Sequence, residues 1–271
     1  MNYNKVITID EHWLPDEIYD GVYPKGARSK SAYFSDVLPE FPFIKPGRRY
    51  LFKEAFRRHP YQFWMEIIAY RIGLLMNIEV PPTYIGYIKE TDTYGALIEW
   101  FYTDKEGYID GGNILEDVIS DYDRKKGEKH NWKTIENIII KLIPDAKLQR
   151  QMFSHWAKIF VFDTVIGNTD RHHDNWGVIQ KRTFKNFSNF SPAFDNGTSL
   201  GYEQIEANLG KFEDDAYLMR YITKPGKARH HMRWSLTDNT PLNFFDFMIK
   251  FMQRFPETHD TVLRCLDINI S

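Results

Sequence analysis

Apolar and polar positions along the first hundred residues fall into short runs closed by turn residues. Thr83–Lys89 (TYIGYIK) and Tyr94–Trp100 (YGALIEW) flank the polar Glu90–Thr93, which predicts two antiparallel strands joined as a hairpin. Tyr50–Lys53 is another short apolar run, closed by a charge. Between these runs Phe63, Ile67, Tyr70 and Leu74 recur at helical spacing, predicting a helix over 61–75. Pro60 suits its start, and Pro81 and Pro82 prevent helix from continuing beyond the next turn. After Trp100 the pattern changes. Residues 104–112 are polar and glycine-rich and read as a hinge, and 121–130 (DYDRKKGEKH) read as a charged loop. Helical spacing then dominates, over 132–142, 151–166, 240–255 and 257–266, with Met152, Phe153, Trp156, Phe160 and Val165 forming a wide apolar stripe. Phe184, Phe187 and Phe190 read as core or a strand edge.

Bulk properties narrow the class. The chain has 271 residues, 42% hydrophobic and 16% aromatic, enough to fill one large domain or two lobes around a cleft. A formal net charge of -2 gives no overall basic field, so stable DNA binding by the chain itself is not expected. Cys265, the single cysteine, excludes an intrachain disulfide or a cysteine-based zinc site and reads as a buried small hydrophobe. The first residues lack the apolar core of a secretion signal. Apolar stretches such as Ile72–Met76 are too short to cross a bilayer, so a cytoplasmic protein without a membrane span is expected.

The sharpest chemistry lies in Gly167–Trp176 (GNTDRHHDNW), a wholly polar stretch directly after the strongly apolar helix, followed by Phe194–Gly197 (FDNG). Asp170 and Asn175 are five apart. Phosphoryl transfer draws on such an inventory, because the transferring group carries spread negative charge and the protein supplies position and counter-charge. Asn175 and one of the aspartates Asp170 and Asp195 offer the hard oxygen donors that magnesium takes, and the other aspartate can orient an acceptor hydroxyl and take its proton. Lys53 closes a strand and Glu66 lies on the following helix. Such a pair can hold the α- and β-phosphates of ATP, although the two read equally well as surface charges when taken alone. Gly26, Ala27, Arg28, Ser29, Lys30 and Ser31 form a turn that can offer amide N–H groups to phosphate, but read alone it is a weak signal that an ordinary surface turn explains better. His172, His173 and Asp174 are adjacent and so do not converge readily on one ion. Arg229, His230, His231 and Arg233 read as a solvated basic face, or else as a dock for an acidic or RNA-bearing substrate.

Taken together, these elements resemble the HipA-like protein kinases. The resemblance rests on G-A-R-S-K-S, Lys53, Glu66 in EIIAYRIG, VPP at 80–82, the I-G-N-T-D-R-H-H-D-N-W stretch and FDNG, and it covers residues 20–200. It implies an α+β, two-lobed, protein-kinase-like fold, with a sheet-rich lobe over 1–102 and a helical lobe over 103–271 that carries the catalytic and metal-binding loops. It also implies an ATP- and Mg2+-dependent serine/threonine kinase. Asp170 would be the catalytic aspartate, Asn175 and Asp195 the magnesium ligands, and Lys53 the phosphate contact with Glu66 as its partner. The Gly26–Ser31 loop would lie over the phosphates, and Glu99 and Phe101 would offer backbone groups to adenine. Ser29 and Ser31 would be candidates for inactivating autophosphorylation. His172 stands where ordinary kinases commonly have lysine, as a contact to the transferring phosphate or a structural hydrogen-bonding residue. Asn196 stands where many kinases have phenylalanine. The extra N-terminal subdomain of longer relatives does not fit ahead of residue 20. The resemblance further implies a protein substrate, an antitoxin or regulatory partner, and a toxin or effector role. A lipid or small-molecule kinase related to phosphoinositide kinases, and a nucleotide-binding pseudokinase module, are the alternatives.

Overall fold

A computed structural model describes residues 5–17, 30–54, 59–183, 187–204, 206–224, 227–238 and 241–268. A six-stranded sheet is built from β1 (Val6–Ile9), β2 (Leu14–Pro15), β3 (Lys30–Phe34), β4 (Arg49–Glu54), β5 (Thr83–Ile88) and β6 (Thr93–Glu99), in the order β1-β5-β6-β4-β3-β2. Strand β1 runs parallel to β5, and the other pairs are antiparallel. The expected hairpin is therefore present as β5 and β6, and Lys53 lies on β4.

Strand alternation gives this sheet two apolar faces. One carries Ile7, Ile9, Tyr50, Phe52, Tyr84, Ile88 and Leu97, packed with Trp13 and Ile44. The other carries Ala96 and Ile98, with Leu51 and Ile85, and receives Phe63 and Ile67 of helix α1 (Gln62–Leu75). Lys53 stands level with Ala96 and Lys30 in the register, so it shares the α1 face.

The second half of the chain is mainly helical: α2 (Gly111–Val118), α3 (Trp132–Leu142), α4 (Ala146–Ile166), α5 (Glu206–Leu209), α6 (Asp215–Ile222), α7 (Phe244–Arg254) and α8 (His259–Leu266). Side-chain caps fix several starts. Asp110, Asn131, Asp145 and Asn243 each accept a backbone N–H of the first turn of α2, α3, α4 and α7. Helix α4 begins five residues earlier than its apolar stripe predicts, because Asp145 caps it there. The core centres on Trp132, which is fully buried among the rings of Phe153, Trp156, Phe160, Phe251 and Phe255. Tyr70, Met76, Ile78 and Val80, at the end of α1 and beyond it, join the same core and tie the sheet to the helices.

Residues 104–112, read as a hinge from composition, hold regular structure. Glu106–Asp110 form β7, which pairs with β8 (Gly177–Lys181), itself paired with β9 (Phe187–Phe190). The glycines there serve close packing: a Cβ on Gly111 would lie 2.2 Å from the Trp176 ring, and one on Gly112 would lie 2.7 Å from the Asp174 carboxylate. Among the described residues no helix is long and apolar enough to cross a membrane.

Candidate active site

Helix α4 delivers the polar stretch. Its C-cap, Gly167, takes the left-handed conformation at φ +63°, which a glycine adopts without a Cβ clash, and the chain turns away into Asn168–Trp176. Asn168 is fully buried. Its amide nitrogen donates to Asp163 Oδ1 at 3.2 Å, and its oxygen accepts the Asp170 N–H at 3.1 Å and the Thr198 hydroxyl at 3.2 Å. The half-buried Asp170 is thereby fixed at its backbone. Five residues on, the buried Asn175 donates from Nδ2 to the Asp170 carbonyl at 2.8 Å, closing the loop on itself. With its nitrogen so used, the side chain's Oδ1 is the atom suited to a cation.

The β8–β9 hairpin leads to the second stretch. Asp195 has φ +55°, a conformation few non-glycine residues adopt, and both of its neighbours are held. The Asn196 N–H donates to Glu66 Oε2 at 2.9 Å, and the Phe194 carbonyl accepts from Arg171 Nη1. Lys53 Nζ lies 2.6 Å from Glu66 Oε1 and 2.7 Å from Asp195 Oδ1. The Lys53 and Glu66 side chains are each 3% exposed, so the reading of this pair as surface charges is wrong: it is a buried junction between β4, α1 and the 194–197 turn.

Arg171 joins the two stretches, and sequence reasoning gave it no role. Its Nη1 donates to the carbonyls of both Phe194 and Asn175, the latter at 3.3 Å, and its Nη2 donates to Asn196 Oδ1 at 2.7 Å. The guanidinium is anchored on Asp163 by Nε to Oδ2 at 3.1 Å and Nη2 to Oδ1 at 2.7 Å. Burial pushes the Asp163 carboxyl up, and the two hydrogen bonds from the Arg171 guanidinium oppose that shift. The signal available in the sequence was Asp163 itself, a lone acid among apolar residues late in α4, eight residues before an arginine.

At the end of β6 the Glu99 N–H donates to the Pro82 carbonyl at 2.8 Å. In an antiparallel pair the Glu99 carbonyl would accept the N–H of residue 82, but proline has none, so the ladder leaves that carbonyl to another donor. The Glu99 carboxylate is bound by Lys45 at 2.6 Å, and the Trp100 carbonyl by Arg48 at 2.6 Å. Phe101 stacks on Phe194 at 5.0 Å, so the segment after β6 touches the residue before Asp195.

Other expected residues divide. Gly26, Ala27, Arg28 and Ser29 lie outside the described residues. Lys30 shares the Lys53 face of the sheet. Ser31 stands level with Phe52, on the opposite face, with its hydroxyl buried and unpartnered among the described residues. His172 accepts the Asp174 N–H at Nδ1, 3.2 Å, which puts its proton on Nε2. His173 bonds the Tyr122 hydroxyl at 3.0 Å. The 229–233 cluster divides: Arg233 is exposed as a solvated face requires, whereas His230 is buried against Phe160, Phe244 and Phe247, and burial lowers its pKa to about 3. His231 packs against the rings of His130 and His172. A cavity of about 470 Å³ lined by Lys147, Arg150, Ser154 and Lys158 contains none of the site residues.

Residues 23–251 match the family model described as the HipA-like C-terminal domain. No curated protein matches. Among solved structures, the chain is similar to that titled as a Helicobacter pylori proinflammatory kinase, CtkA, at a TM-score of 0.64 and 18% identity, over 89% of this chain and 83% of that one. A Golgi casein kinase structure with Mn/ADP bound matches at a TM-score of 0.37 and 13% identity, over 90% and 72%.

Proposed function

The chain belongs to the HipA-like C-terminal domain family and has an α+β, protein-kinase-like fold, and from that premise we propose that it is an ATP- and Mg2+-dependent protein serine/threonine kinase. The observation that carries the reading is the single Arg171 Nη1 that reaches the carbonyls of both Asn175 and Phe194. It draws the two oxygen-bearing stretches to one place, and Lys53 joins them there through Asp195. The donor set is hard oxygen, which fits magnesium.

On this reading the lobes divide near residue 102, and ATP lies between them. The Glu99 carbonyl and the Phe101 N–H take the adenine edge. Lys53 leaves Asp195 for the α- and β-phosphates while keeping Glu66. Asn175 and Asp195 hold the metal, which when bound neutralises charge on the phosphates. Asp170 orients the acceptor hydroxyl. The hydroxyl oxygen forms the new bond to the γ-phosphorus, the bond from that phosphorus to the β–γ bridging oxygen breaks, ADP departs, and the hydroxyl proton passes to Asp170. His172, with its proton on Nε2, donates toward the transferred group. Of the two serines, Ser29 is the autophosphorylation candidate, since Ser31 faces away from Lys53. The acceptor is a protein hydroxyl, and a toxin or effector role under an antitoxin-like partner, in the cytoplasm, accords with the family.

The test is incubation with labelled ATP and magnesium beside protein acceptors and phosphoinositide vesicles. Wild type labels protein only. Asp170→Ala loses transfer by at least a thousandfold while its nucleotide affinity, measured by calorimetry, stays within about threefold. Retained transfer in Asp170→Ala refutes the role of that residue. Labelled lipid without labelled protein refutes the substrate class.

A further inference from the structure

Asn196 occupies the turn position after the metal-ligand aspartate, and every polar group it owns has a partner. Its N–H donates to Glu66, its Nδ2 to the Ala193 carbonyl at 2.8 Å, its Oδ1 accepts from Arg171, and its carbonyl accepts the Ser199 hydroxyl at 2.6 Å. The side chain is 1% exposed. Arg171 is 2% exposed and is tied to α4 through Asp163. Between these two residues sits Asp195 at φ +55°, a conformation that persists when its surroundings over-determine it.

We propose that Arg171 and Asn196 are positioning residues which lock the metal turn to the catalytic loop, so that the backbone of Asp195 is set before nucleotide arrives and its carboxylate meets the cation once Lys53 releases it. This rests on the kinase reading above and adds a device to it. The Asn196 amide has one set of buried partners, and leaving them strands one of the two N–H groups of Arg171 Nη2, the Ala193 carbonyl and its own two polar atoms, while Asp163 keeps the other Nη2 N–H. The same residue's N–H holds Glu66, so the lock extends from α4 through the metal turn to α1 and Lys53. Assembly of the site is thereby built into the fold.

Asn196→Leu keeps approximate volume and removes both side-chain hydrogen bonds. The readout is magnesium-dependent binding: ADP affinity by calorimetry in EDTA and across a magnesium titration, independent of transfer. The expected result is a tenfold or greater rise in the magnesium concentration that gives half the affinity gain, with the EDTA value within twofold of wild type. Asn196→Asp, which keeps an acceptor for Arg171, recovers most of that loss. Arg171→Lys retains charge against Asp163 but cannot reach all its partners together, so it carries the test if the leucine variant does not fold, with an expected rise of at least fivefold. A merely structural role lowers Tm and leaves the magnesium midpoint of the folded fraction unmoved; that outcome overturns the proposal. A wild type that binds ADP with no magnesium dependence overturns the kinase reading and the proposal together, whereas unchanged midpoints in the variants overturn the proposal alone.

Discussion

Truncating Glu66 to alanine tests the buried junction most directly. In the wild type this carboxylate accepts from Lys53 at 2.6 Å through one oxygen and from the Asn196 N–H at 2.9 Å through the other. A hydrogen bond to a charged group contributes about 1.5–3 kcal/mol, and a buried amide left without an acceptor costs about 1–3 kcal/mol. Lys53 keeps Asp195 at 2.7 Å, so it does not become an isolated buried charge, and the loss stays below the sum of the upper values. The net expectation is about 3–4 kcal/mol. A chain of this size loses about 2–4 °C of Tm per kcal/mol, which gives a drop of about 6–16 °C in thermal melts followed by circular dichroism. Glu66→Gln retains a neutral acceptor and is expected to lose about half as much. A second effect accompanies the first. With Glu66 gone, Lys53 is held by Asp195 alone, so magnesium–nucleotide must compete for that carboxylate and its affinity falls. An alanine variant melting within 2 °C of wild type, at unchanged magnesium–nucleotide affinity, would falsify the idea that this junction organises the site.

His130 and His230 are buried and held neutral, the first well below its ordinary pKa by burial and the second at about 3 for the same reason. A depressed folded-state value means that stability is present above the unfolded value near 6.5 and is lost on acidification, by about 2 kcal/mol for His230 between neutrality and pH 5, with His130 adding in the same direction; equal urea midpoints at pH 7.5 and 5.0 would contradict it. Gly111→Ala pushes a methyl group into the Trp176 ring and is expected to cost about 1–3 kcal/mol in urea denaturation. Gly210→Ala, with nothing within 4 Å of the added carbon, serves as its near-neutral control. Ser31→Ala removes a buried hydroxyl that has no partner among the described residues, so its urea midpoint should equal or exceed wild type, by up to about 1 kcal/mol. Phosphate mapped to Ser31 after ATP treatment would show that its strand opens.

Local pattern alone determined much of this protein. Proline-bounded periodicity placed α1, turn residues placed the β5–β6 hairpin, and Trp132–Leu142 was legible as a helix to the residue, because in each case the deciding interactions lie within a few residues. The polar stretch after α4 was legible for a similar reason: a run of Asp, Asn and His directly after a buried helix has few structural uses. What only tertiary structure decided are facts that join distant positions. Arg171 meets Asn196 across 25 residues, and Lys53 meets Asp195 across 142. Nothing local marks either pairing, since a buried charge reads like any exposed one until its partner is known. Gly111 and Gly112 stood out by composition alone, and composition cannot tell a bend from a site where an indole ring or a carboxylate must approach. His230 looked like surface because its sequence neighbours are basic, while its neighbours in space are three phenylalanine rings. Burial is a property of the packed chain, and it converted these charges and imidazoles from a solvated list into a connected interior.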